Sequence, residues 1–231
     1  MPRKIPENRL QQLVDCATRV FIERGYARTQ MADIAAALGV AKGTLYLYVE
    51  SKEALFDLVA RSADTRRPFG DTSRLPIRTP TPGATINYVR ERLAESQVPP
   101  ALTRALARHR VDDIRGELAG IVRELYDTLA SNRRGIKLLD CSARDDPELA
   151  GLWYEGARRG LIALLTHYLE DRTRRKLLRA FPDPSVAARL VIETVVFWAV
   201  HRHWDPHPQA VDESLARETM VRFLLGALIE E

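Results

Sequence analysis

Two short stretches of helical periodicity meet at a single glycine, and this junction constrains the fold more than any other feature of the chain. From Thr29, the apolar residues Met31, Ile34, Ala35 and Leu38 share one face of about two helical turns. Gly39 then stands where a left-handed residue ends a helix, and after Gly39-Val40 the segment from Ala41 to Val49 resumes with Leu45 and Val49 one turn apart. A period near 3.6 excludes strands here, and the glycine excludes one continuous helix. Thr29 is placed to cap the first helix of the pair. Upstream, Leu10, Leu13, Val14, Ala17, Val20 and Phe21 mark an amphipathic helix from Asn8 that Gly25 stops. Downstream, Ser51 caps a further helix with Glu53 in its first turn and Leu55, Leu58 and Val59 inward, running to Arg67.

Pro68, Pro76, Pro80 and Pro82 crowd the next stretch, so no helix continues through it and it reads as a linker. Further helical patterns follow at 84–96, 101–109, 111–131, 147–179, 184–203 and 210–229, punctuated by Pro99-Pro100, Asp146-Pro147, Pro182-Asp183-Pro184 and Pro206-His207-Pro208. Strand alternation is absent. The expected fold is all-α, with a helix-turn-helix domain at 1–52, a connecting helix at 53–67, a Pro-rich linker at 68–83 and a helical effector-binding and dimerisation domain at 84–231.

Two short helices joined at a glycine turn suit a recognition helix laid in the major groove of DNA. Charge agrees in sign: of a formal net +4, the stretch through Arg67 carries +3, with 11 Lys+Arg against 8 Asp+Glu. The basic N-terminus leads into an amphipathic helix rather than an apolar run, so no signal peptide is expected. Leu190 to Val200, the longest apolar run, is broken by Glu193 and Thr194 and is too short to span a bilayer. A soluble, cytoplasmic protein is expected. Cys16 and Cys141 lie far apart, with no metal-ligand spacing around them. His201 and His203, at i and i+2 on a helix, point to different sides, and with His207 they lack a completing carboxylate or Cys, so no metal site is expected. No nucleophile triad, phosphate loop or paired-carboxylate motif is recognisable, so neither an enzyme nor a cofactor is expected.

The run from Thr29 to Phe56, with the spacing IAxxxGVxKGTLYxYxxSKExLF, closely resembles the signature of TetR-family regulators, and the likeness covers residues 8–60. The resemblance implies a dimeric repressor and assigns DNA contacts to Thr29, Lys42, Gly43, Thr44, Tyr46, Tyr48 and Lys52. In that scheme Thr29 and its helix N-terminus meet a phosphate, and Lys42 and Thr44 reach base edges or flanking phosphates. Gly43 permits close approach, the two tyrosines offer hydroxyls, and Lys52 offers a cation. Two alternatives stand: Tyr48 packed against the first helix, and Thr29 acting purely as a cap. Leu47 and Val49 depart from the commonest family pattern, where a polar residue and an aromatic are frequent.

In that family the later helices hold a ligand pocket and the last two build a dimer. Leu190–Val200 is apolar nearly all round its helix, and so is the segment holding Val221, Phe223, Leu224, Leu225, Leu228 and Ile229. Leu190, Val195, Phe223, Leu224 and Leu228 are therefore candidate dimer residues, the alternative being burial inside one protomer. Tyr126, Trp153, Tyr154, Phe197 and Trp198 are candidates to line a pocket for a small apolar effector, although aromatic residues also fill ordinary cores. The leading expectation is a homodimeric repressor released from a palindromic operator by such an effector. The runner-up is an architectural DNA-binding protein without one.

Overall fold

The computed structural model describes residues 7–63, 74–96 and 99–230. The end of the expected connecting helix, 64–67, and the first part of the Pro-rich stretch, 68–73, lie outside the described residues. Among the described residues the chain is all-helical: α1 (Glu7–Arg24), α2 (Met31–Leu38), α3 (Lys42–Leu45), α4 (Lys52–Ser62), α5 (Ala84–Ser96), α6 (Pro100–Ala107), α7 (Ile114–Ser131), α8 (Arg133–Ser142), α9 (Pro147–Ala150), α10 (Arg159–Arg174), α11 (Pro184–Ala199) and α12 (Glu213–Leu228). A π-helical stretch, Gly151–Arg158, joins α9 to α10, and a 3-10 turn, His201–Trp204, follows α11. By packing, the chain divides into two compact units, one of Met1–Arg92 with Arg134–Trp153, the other of Leu93–Arg133 with Tyr154–Glu231.

In the first unit α1 buries Leu13, Val14, Ala17, Val20 and Phe21 against α2 and α4. Phe21 meets Phe56 edge-on at 5.3 Å between ring centroids, and Tyr26 lies 4.5 Å from Phe56, so three aromatic rings close the corner where α1 turns toward α2. Gly25 makes that corner at φ +78°, and a Cβ there would stand 3.2 Å from the Cys141 carbonyl oxygen of α8, so both the backbone and the space demand glycine. Arg28–Asp145 and Arg134–Asp15 ion pairs hold the α8 segment to the same corner. Sequence periodicity gave no helix here, because Asn132 to Lys137 reads as a basic turn.

The second unit is built around α7, which packs against α6, α11 and α12, with α10 on α11 and α6. Its core gathers Leu118, Ile121, Val122 and Leu125 with Leu165, Leu169, Val191, Ile192, Val195, Met220, Val221, Leu224 and Leu228. Within this apolar shell Arg172 is fully buried, its Nε donating to Glu117 at 2.9 Å while Tyr168 donates its hydroxyl to the same carboxylate at 3.1 Å. Asp171 pairs with the guanidinium, and the Ala105 carbonyl accepts from it. The cluster neutralises a charge that burial alone would make prohibitive, and it stitches α10 to α6 and α7.

Candidate nucleic-acid interface

Gly39 ends α2 in the left-handed region, φ +70°, its N–H bonded to the Ala36 carbonyl at 3.1 Å and that of Val40 to Ala35 at 3.0 Å. That reversal lets α3 start at Lys42 and turn its outer face away from the core. Leu45 and Val49 are fully buried and anchor the segment, while Lys42 and Gly43 are exposed, Tyr46 is 41 % exposed and Leu47 59 %. Thr44 is half-buried. The helix is shorter than its periodicity predicts. Tyr46 to Tyr48 form a turn, and Val49 leaves to pair with Ile77.

Gly43 has ordinary helical geometry, and a Cβ built on it meets nothing within 4 Å. Neither the backbone nor the packing of this chain requires glycine at that position.

Thr29 and Lys52 do come together, although not as free groups. Gln30, rather than Thr29, is the N-cap of α2, and the Gln30 N–H donates to Asp33 at 2.8 Å. Thr29 stands one residue earlier, wholly buried, its hydroxyl donating to the Gly25 carbonyl at 2.7 Å because the turn leaves that oxygen open. Its side chain therefore locks the corner. Lys52 donates from Nζ to the carbonyls of Tyr26 and Thr29, each at 3.1 Å, and sits 4.4 Å from the Tyr26 ring centroid. An ammonium has three donors, and these two carbonyls take two of them. Tyr26 donates to Glu53 at 3.1 Å, and burial with that carboxylate pushes its hydroxyl well above the usual tyrosine range. Ser51 caps α4, accepting from the Ala54 N–H at 3.0 Å. Tyr48 is buried at 7 % exposure. The sequence reading missed Tyr26 and Gln30; the only signal for either was its place beside the Gly25 turn.

The end of the Pro-rich stretch is not a free tether. The Ile77 N–H donates to the Tyr48 carbonyl at 2.8 Å and the Glu50 N–H donates to the Ile77 carbonyl at 2.9 Å. Thr79 adds its N–H to the Glu50 carboxylate and its hydroxyl to Ser51, both at 2.9 Å. A strap thus runs alongside the residues that follow α3.

The candidate effector residues are divided between the two units. Trp153 belongs to the first unit, where its indole donates to Asp140 at 3.3 Å. In the second unit Tyr126 is buried and donates to Glu213 at 2.7 Å, which with its burial pushes the hydroxyl up to about 12. Tyr154 and Trp198 are half-buried, and Phe197 is exposed, edge-on to Trp198. An apolar cavity lined by Leu102, Leu118, Ile121, Leu125, Leu165 and Val191 among others has a volume of about 10 Å³, and none of the five aromatic candidates lines it. Of the dimer candidates, Val195, Leu224 and Leu228 are buried inside the protomer, whereas Leu190 and Phe223 are 64 % and 68 % exposed. Among the described residues no helix is long and apolar enough to cross a membrane.

Residues 13–59, which hold all seven candidate DNA contacts, match the family model of bacterial regulatory proteins of the tetR family. The chain is 42 % identical over 64 residues to the HTH-type transcriptional repressor DhaR of Mycobacterium sp. (strain GP1), covering 27 % of this chain and 32 % of that protein. It is 43 % identical over 53 residues to the fatty acid metabolism regulator protein of Bacillus subtilis (strain 168), 23 % of this chain and 26 % of that one. The matched region thus spans a third or less of those relatives' length. Across the fold, a TetR-family member from Streptomyces coelicolor A3 superposes with a TM-score of 0.56 at 22 % identity, covering 99 % of this chain and 94 % of that one. AibR, solved in complex with isovaleryl coenzyme A and operator DNA, superposes with a TM-score of 0.51 at 20 % identity, covering 94 % and 98 %. Through its helix-turn-helix segment, residues 13–59, the chain is similar to bacterial regulatory proteins of the tetR family.

Proposed function

We propose that the protein is a cytoplasmic, homodimeric transcriptional repressor that grips a palindromic operator through α3 of each protomer and lets go when a small apolar effector binds the helical part. Residues 1–52 read the DNA, 53–67 connect, 68–83 link, and 84–231 dimerise and take the effector. The observation that carries the DNA reading is the outer face of α3, where Lys42, Gly43 and Tyr46 are exposed and Gly43 answers no internal need. Lys42 is the direct reader, Thr44 and Tyr46 flank it, Lys52 presents its remaining donor to a phosphate, and Thr29 and Tyr48 act by holding the corner and the helix in place.

Pairing follows from α11 and α12, which pack on each other and leave Val186, Leu190, Phe197, Leu215 and Phe223 exposed. Val186, Leu190 and Phe197 fall on one face of α11 at helical spacing. Two such helices per protomer make a four-helix interface.

The test selects bound fragments from a random duplex library and then compares Lys42→Ala with the parent on the selected duplex. The expected result is a palindromic sequence with half-sites about 34–36 Å apart or a multiple of that. Lys42→Ala should lose about 1–3 kcal/mol of affinity if it reads a base, or flatten the salt dependence by about one unit per contact if it meets a phosphate. A folded Lys42→Ala dimer with unchanged affinity and salt dependence removes the residue from the interface.

One observation favours a second reading, an architectural DNA-binding protein with no effector. The cavity in the helical unit is about 10 Å³, room for a water, whereas a ligand site needs roughly 300 Å³ or more. An effector that uses this core has to open it, and that opening would be a conformational change of the helical unit.

A further inference from the structure

We propose that Arg74 and Arg78 on the strap form a second DNA contact, gripping phosphates beside the groove that α3 enters; the inference rests on the DNA-binding reading above. Ile77 pairs in parallel with Val49, flanked by hydrogen bonds to residues 48 and 50. In such a pairing the two residues point to the same face, and neighbours along the strand point to the other. Val49 is fully buried, so Ile77 turns inward and Arg78 turns out, on the side that carries the exposed Glu50. Exposure along the strap follows the same alternation: Arg74, Pro76 and Arg78 are exposed, Leu75 and Ile77 half-buried.

Both arginines are without an ion-pair partner among the described residues. The nearby acid, Glu50, is occupied, accepting the Thr79 N–H. Adjacent strands lie about 4.8 Å apart, so at Ile77 the strap stands one strand-width from residues 48–50, which follow α3. Thr79 further ties the strap to Ser51, the cap of α4 that precedes Lys52. The strap's backbone, tied at Ile77 and Thr79, therefore carries two unpaired arginines beside the residues that join α3 to α4. Arginine forks suit phosphate oxygens, and contacts to phosphate set register and affinity without reading sequence.

The experiment measures affinity across a KCl series for the parent and for the Arg74→Gln/Arg78→Gln and Arg74→Lys/Arg78→Lys double variants. Each is measured on the duplex the parent selects and on an unrelated duplex. Each phosphate contact contributes about 0.9 to the slope of log affinity against log salt, so losing two arginines in each of two protomers should flatten it by about 3.6 on both duplexes. The lysine variant should keep most of the slope, and thermal unfolding of both should match the parent, since neither side chain holds the fold. An unchanged slope in the glutamine variant overturns the proposal, as does a loss confined to the selected duplex, which would make the strap a base reader. If the parent binds and Lys42→Ala weakens it while the glutamine variant does not, the strap contact alone fails. If the parent binds no duplex, the DNA-binding reading fails with it.

Discussion

Alanine at position 43 would touch no atom of the chain within 4 Å. Glycine within a helix is less favourable than alanine by up to about 1 kcal/mol, so Gly43→Ala should leave the free protein equally stable or slightly more so. Operator affinity should nonetheless fall, because the added methyl group stands between the α3 backbone and the DNA. Thermal unfolding and a binding titration on the same preparation check both halves, and a variant that keeps full affinity would show that close approach at this residue is not needed. The neighbouring Gly25 behaves oppositely, since its positive φ and the Cys141 carbonyl both depend on the missing Cβ. Two glycines in one motif therefore serve different masters, one the fold and one the surface.

Among the elements, α11 and α12 separate residues that a hydrophobicity pattern cannot. Val195, Leu224 and Leu228 fill the protomer core, while Leu190 and Phe223 stand in solvent on the same two helices. Phe223→Glu should leave α12 folded, as the side chain meets no core, yet drive the protein to monomers in sedimentation. Operator affinity should fall by roughly 10²-fold or more as the two reading heads lose their linkage. A dimeric Phe223→Glu protein would place the interface elsewhere. Much of the architecture was legible beforehand: the Gly39 junction, the Ser51 cap and helical periods over most of the chain correspond to elements found. What escaped were features set by distant partners. Helix α8 hid behind the polar run Asn132–Lys137, although its end at Cys141 meets the Gly25 corner. The region 147–179 read as one helix, although it is α9, a π-helical stretch and α10, because side-chain spacing hardly changes when one turn widens. The strap escaped for the same reason, since a main-chain pairing of Ile77 with residues 48 and 50 leaves no mark in the side-chain pattern. In the candidate interface, the outward residues of α3 followed from the motif, whereas the burial of Thr29 and Tyr48 depends on how the corner closes.

At the scale of the whole molecule, effector and operator must influence each other equally. If an effector lowers operator affinity a hundredfold, operator must lower effector affinity a hundredfold, a coupling of about 2.7 kcal/mol. Calorimetry of a bound compound with and without the selected duplex reads this directly, and equal affinities in the two titrations would exclude release by that compound. The discontinuous build of the two units bears on a different matter, the order in which the protein is made. The unit that contains α1 to α4 also includes Arg134–Trp153, which supply the Cys141 carbonyl against Gly25 and the Asp145 carboxylate to Arg28. Domains form during synthesis as their residues emerge from the ribosome. The first unit, although it begins the chain, is thus complete only once a later stretch has emerged, and a nascent protein stalled before Arg134 carries the helix-turn-helix motif without that part of its unit.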